Sequence, residues 1–143
     1  MKIRNNKSGF TLLEIIIVLI IIGVLASLAL PRFFALVETS RGGEALNTLS
    51  AIRGSMVRYA LRNGNSYTGA NLGTIDVGDP SVGAANKHFT YTTSVAAGNP
   101  STAFTVIATR NTNNGGTGGT VYITQDDAAG TVVRGGTGPF AGI

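Results

Sequence analysis

The 143-residue chain predicts an α+β fold: a long amino-terminal helix packed on a small antiparallel sheet of three or four strands. Three observations predict it. An uncharged apolar run extends from Ile15 to Leu30. Beyond it Leu46, Leu49, Ile52, Met56 and Tyr59 recur at three- and four-residue steps, which is one face of a helix. After Asn63-Gly64 come short runs of alternating apolar and polar residues broken by Gly, Asn and Pro, the pattern of antiparallel strands. A helix stripe and a sheet face must each bury against something, and one laid across the other makes a two-layer α+β roll.

Composition narrows the function before any motif is read. Cysteine is absent, so no disulfide, thiolate metal site or thiol nucleophile is available. The single histidine, His88, excludes sites that need two. The net charge of +4 is concentrated at the amino end, in Lys2, Arg4 and Lys7. From Phe10 onward eight basic side chains face seven acidic ones, a net of +1, so no nucleic-acid partner is expected. Ile and Leu dominate residues 12–30, whereas Gly, Thr, Asn, Ser and Ala dominate after about residue 63.

Phe10 to Leu30, as a helix, spans roughly 31 Å, the thickness of bilayer hydrocarbon. Its many β-branched residues suit a strand in water, but in lipid the backbone must satisfy itself, which selects a helix. The basic residues ahead of it keep that end cytoplasmic and send the rest outward. Glu14 is the anomaly. An acid at the centre of a membrane segment costs about 2.5–3.5 kcal/mol, less near an end, and is a functional hypothesis by default. A cleaved signal peptide with small residues at Ser27-Leu28-Ala29 would have too long an apolar region. An uncleaved anchor leaves Glu14 unexplained. A cut after Gly9 explains it: Phe10 then carries a free amine, and Glu14 lies one helical turn away. In a bundle of such helices the carboxylate of one copy meets the amine of the next, and the pair sets axial register.

These residues carry a resemblance. KSGFTLLE, with Gly9, Phe10, Thr11, Leu12 and Glu14 in place, resembles the processing site of type IV prepilins and their pseudopilin relatives. The resemblance covers about residues 7–67. It implies a leader at residues 1–9, cleavage between Gly9 and Phe10 by a prepilin peptidase, N-methylation of Phe10, and assembly into a filament above the inner membrane.

The remaining elements follow in order. Residues 10–30 form the transmembrane and assembly helix and 31–62 an amphipathic stem. Pro31 removes a helix hydrogen bond and predicts a kink; the family also has Pro there and Gly at the place of Gly23. Gly23 and Ser27 form a weak small-xxx-small pair that permits close helix contact. Arg41, Arg53, Arg58 and Arg62, with Glu38 and Glu44, read as a solvated face, with pairing between subunits as the alternative. Gly42-Gly43 predicts a bend or break, since each glycine costs about 1 kcal/mol against alanine. Asn63-Gly64 stops the helix. The join YALRNGNSYT resembles the corresponding stretch of major pseudopilins of type II secretion, with one extra residue before Tyr67 and Thr68 where the family has Pro.

Residues 65–143 form the head. Strands are expected around Phe89–Val95, Phe104–Ala108, Thr120–Thr124 and Thr131–Arg134, with NTNNGGTGGT as a turn or loop. Major pseudopilins hold calcium in this part of the head. Asp126 and Asp127 are weak candidates for such a site if Asn113 and Asn114 converge on them, since calcium takes hard oxygen ligands; the plain alternative is a turn and no cofactor. Asp76 and Asp79 read as turn residues and His88 as structural. Phe33, Phe34 and Tyr59 read as packing residues rather than an electron path. No phosphate loop and no constellation of acid, base and nucleophile is visible, so no enzyme is expected.

The sequence therefore reads as a filament subunit of the inner membrane, its head outside the cytoplasm and its polymer periplasmic or extracellular. It leans to a type II secretion major pseudopilin. Expected partners are copies of itself, the prepilin peptidase, an inner-membrane assembly platform and minor pilins or pseudopilins. The alternatives are a surface type IV pilin and, from another class, a monomeric membrane-anchored or secreted binding module.

Overall fold

The computed structural model describes residues 9–82, 88–98 and 101–143; the leader residues Lys2, Arg4 and Lys7 lie outside them. The chain divides into two compact units, Met1–Leu36 and Val37–Ile143. Helix α1, Leu12–Arg62, belongs to both. Strands β1 (Phe89–Val95), β2 (Ala103–Arg110), β3 (Thr120–Asp126) and β4 (Thr131–Gly136) belong to the second, with single 3-10 turns at Thr112–Asn114 and Gly138–Phe140.

In the first unit the chain presents apolar side chains on every side of α1. From Phe10 to Leu30 the large hydrophobics are 44 to 81% exposed. A helix apolar all round must find lipid or other protein to bury it. Pro31 lies inside α1 and has no N–H to give the carbonyl of Ser27.

In the second unit α1 is amphipathic, as its periodicity predicts. Leu49, Ile52 and Met56 are fully buried, with Ala45 and Ala60 extending the stripe and Leu46 and Tyr59 packed at its margins. They meet Phe89, Tyr91, Phe104, Val106, Ala108, Val121 and Ile123 from the sheet. Each large side chain so buried contributes about 1.5–3 kcal/mol. The sheet is a meander, β1-β2-β3-β4, antiparallel throughout. All four expected strands are present. Their other face is mostly hydroxyl-bearing; Thr105 and Thr124 share a hydrogen bond across β2 and β3.

Two local features differ from expectation or sharpen it. The helix does not break at Gly42-Gly43. Gly42 is buried where the chain end crosses the helix, and a Cβ there would overlap Phe140 and Ile143. The glycine is required by close approach, and the packing of Phe140, itself fully buried, offsets the helix propensity it lacks. At the other end α1 stops as predicted. Gly64 is left-handed with φ 64°, and the Asn65 N–H donates to the Ala60 carbonyl at 2.8 Å, a Schellman closure.

Candidate functional site

The amino end of α1 is built by four consecutive residues. Thr11 caps the helix: its carbonyl accepts from the Ile15 N–H at 3.3 Å and its hydroxyl from the Glu14 N–H at 3.2 Å. The Glu14 carboxylate reaches back to the Thr11 N–H at 3.5 Å, closing a reciprocal capping box. Thr-x-x-Glu is visible in the sequence, so Glu14 has a local role that periodicity alone misses. The carboxylate also sits in the first turn, where the helix dipole favours an anion. No cationic side chain reaches Glu14 among the described residues, and Phe10 beside it is 81% exposed. The arrangement is a capped first-turn anion beside an exposed aromatic residue.

The charges of the second unit are instead satisfied inside it. Glu38 and Arg110, 72 residues apart, form a bidentate pair, with Arg110 Nε and one terminal nitrogen each 3.0 Å from a carboxylate oxygen. The Arg110 side chain is completely buried; its remaining nitrogen donates to the carbonyls of His88 and Asn111 at 3.0 Å. Arg41 adds a third contact to Glu38 at 2.6 Å. The hydrogen bonds from Arg110, outweighing burial, hold the Glu38 carboxyl below its ordinary value. Gly116 packs flat on the guanidinium, where a Cβ would collide. That close approach explains a glycine at this point of the loop after β2.

The arginine face predicted to be solvated is mostly engaged. Arg53 donates to Gln125 at 2.6 Å, and Arg58 makes two hydrogen bonds to Asp76 at 2.8 and 3.0 Å. Asp76 is therefore an ion-pair partner and not only a turn residue; Arg58, then Ser55, hold its carboxyl well below the ordinary range. Asp79 is a turn residue as expected, accepting from the Ser81 N–H. The His88 carbonyl, rather than its ring, carries the structural contacts, with Arg110 and Asn111.

Register separates the two calcium candidates from the asparagine turn. Ala103 faces Asp126 at one end of the β2–β3 hairpin and Thr109 faces Thr120 at the other. The turn holding Asn113 and Asn114 follows the second end, about 20 Å along the strands from Asp126 and Asp127. The loops do not converge because one hairpin separates them. Asp126 caps its own turn through the Ala128 and Ala129 N–H groups. Asp127 accepts from the Tyr67 hydroxyl and the Gln125 amide. Burial first, and the Asp127 carboxylate second, push the Tyr67 hydroxyl well above its ordinary value. Among the described residues no three of His, Cys, Asp and Glu gather as metal ligands.

The family described as the prokaryotic N-terminal methylation motif matches residues 4–30, which include the cap, Glu14 and the apolar run. Over its amino-terminal half the chain is similar to type IV prepilins and pseudopilins. It is 37% identical over 73 residues to the type II secretion system core protein G of Escherichia coli (strain K12), covering 51% of this chain and 50% of that one. The same-named protein of Aeromonas hydrophila is 36% identical over 64 residues, 45% of this chain and 44% of that one. The fimbrial protein EcpC of Eikenella corrodens is 39% identical over 57 residues, 40% and 37% of the two chains. The matches thus span about half the length of these relatives or less. No solved structure gives a significant match.

Proposed function

We propose that the chain is a structural subunit of a helical, type IV pilus-like filament, and not a catalyst. A prepilin peptidase cuts between Gly9 and Phe10 and N-methylates Phe10. The mature subunit stays in the inner membrane through residues 10–30 until an assembly platform moves it into the fibre, where it joins its own copies and minor pseudopilins. One observation carries this reading: the capped first-unit segment of α1 is apolar on every side, and its one acid, Glu14, lacks a cationic partner among the described residues. Lipid satisfies the apolar surface, and a neighbour's Phe10 amine satisfies the acid. Contacts of this kind are heterologous and do not close, so they propagate as a helix. Pro31, with no N–H for Ser27, is where the helix yields when it enters the bundle.

The type II secretion pseudopilus is the preferred setting, because the relatives named core protein G share up to 42% identity, there over 59 residues or 41% of the chain. A surface pilus is the second reading, favoured by the fimbrial match. Mass spectrometry of the mature amino terminus tests the proposal. N-methylphenylalanine at Phe10 supports it, whereas a start at Met1 or Leu30 indicates an anchored or secreted monomer and ends it. Deletion of the gene then separates the settings: loss of secretion marks the pseudopilus, loss of twitching the surface pilus.

A further inference from the structure

An open cleft of about 290 Å³ lies at the carboxyl end of α1 in the second unit. Val57, Ala60 and Leu61 give it an apolar floor along one stripe of the helix, and Asp127 stands at its rim. Leu61 is 69% exposed, unusual for a leucine beside a packed core. Asp127 is exposed and receives hydrogen bonds only from neutral donors, Tyr67 and Gln125. The cleft is an apolar groove with one uncompensated carboxylate.

The same chain carries the complementary pattern elsewhere. Arg32, Phe33 and Leu36 fall within about 100° of one helical face. Phe33 is 60% exposed and Leu36 67%. Arg32 is exposed too and takes part in no hydrogen bond or ion pair among the described residues. Four other arginines of α1 and β2, Arg41, Arg53, Arg58 and Arg110, are held inside the molecule. Arg62 directly follows Leu61 at the cleft itself, and Arg134 stands on the edge strand β4 beside the smaller Val132 and Val133. Among the described residues Arg32 is the unpaired arginine away from the cleft that has large exposed apolar neighbours, Phe33 and Leu36.

We infer that the Arg32-Phe33-Leu36 face of one copy docks in the Val57-Leu61 cleft of another, with Arg32 on Asp127. The inference rests on the filament reading and names the contact surface that it needs. The charges are opposite and the apolar stripes are both helical, so the contact is helix against helix with an ion pair at its edge. Copies in one fibre point the same way. The contact sets residues 33–36 of one copy against residues 57–61 of another, 24 to 25 positions further along the sequence. This contact ties the stem of one subunit to the head of another, whereas the Glu14 contact ties helix ends to each other.

The absence of cysteine makes the test direct. Phe33→Cys or Leu36→Cys is combined with Leu61→Cys in the full-length chain, filaments are sheared from cells and mildly oxidised, and the products are separated by size. The expected result is a ladder of linked subunits from the double variants and none from the single ones. Intact filaments without a ladder overturn the docking while leaving the filament reading standing. Cells whose unmodified chain makes no filament overturn both. Where a cysteine variant assembles poorly, charge exchange takes its place. Arg32→Glu and Asp127→Lys each lower filament yield at least tenfold with membrane levels unchanged, and the double exchange restores it. Equal loss in the double exchange, or an equal loss from Arg134→Glu, also overturns the docking.

Discussion

Two glutamates on one helix meet opposite fates. Glu14 sits in the first turn of a segment whose side chains are exposed all round, tied only to its own cap. Glu38, 24 positions later, is 8% exposed and held by Arg110 and Arg41. The residue type and the helix are the same; what differs is whether the chain supplies the counter-charge. Where the fold supplies it, the acid stabilises a tertiary contact. Where it does not, the acid is left without a counter-charge among the described residues, and in the proposed filament another copy supplies it.

The comparison breaks most visibly at Glu14. Glu14→Ala should reduce filament yield at least tenfold while membrane insertion and head stability stay as in the parent. Immunoblots of sheared and membrane fractions measure the first two, and thermal unfolding in detergent the third. Normal filament yield would remove the contrast altogether.

At the other glutamate the expected loss is of stability. Arg110→Met leaves Glu38 buried without its main partner, at a cost of about 3–5 kcal/mol. Denaturant unfolding of the full chain reads it, and a loss under 1 kcal/mol would mean that Arg41 alone suffices. Gly42→Ala is smaller. Its added methyl group must displace Phe140 or Ile143, and overpacking of this kind costs about 1–3 kcal/mol although alanine is the better helix former. A stabilised Gly42→Ala protein would show that propensity outweighs the tail contact.

The smallest effect is on pH dependence. Arg110 holds the Glu38 carboxyl below its ordinary value near 4.5, so the unfolded chain binds this proton more readily than the folded one. The stabilisation is therefore complete above about pH 4.5 and is lost as pH falls through the lower folded value. Glu38→Gln should flatten this acid limb and lower stability at pH 7. Unfolding midpoints between pH 3 and 7 measure both, and an unchanged acid limb would assign the sensitivity to another group.

Local order was legible wherever the signal lay within one or two turns. The stripe from Leu46 to Tyr59, the alternation of β1 to β3 and the stop at Asn63-Gly64 all sit in contiguous residues, and each formed. Thr11-x-x-Glu14 was equally local, but its capping role is masked by the larger puzzle of an acid beside an apolar run. The misreadings involve distance. Gly42-Gly43 looks like a break until Phe140 and Ile143 arrive from the far end of the chain. Asp76 looks like a turn until Arg58 reaches it. Asp126 and Asp127 look available to Asn113 and Asn114 until the hairpin register puts them at opposite ends.

The sequence by itself determined that the amino-terminal stretch is a helix apolar on every side, that one acid stands at its head, and that a helix stripe must cover a small sheet. Those conclusions need only periodicity, length and the cost of a charge in hydrocarbon. Only the tertiary structure decided which charges are internally paired, because Glu38 and Arg110 are joined by a meander that brings together residues 72 positions apart. It likewise decided that Gly42 is a contact and not a break, and that Leu61 and Asp127 share one cleft. Pairing energies depend on burial and distance in space, and neither is written in the spacing of residues along the chain.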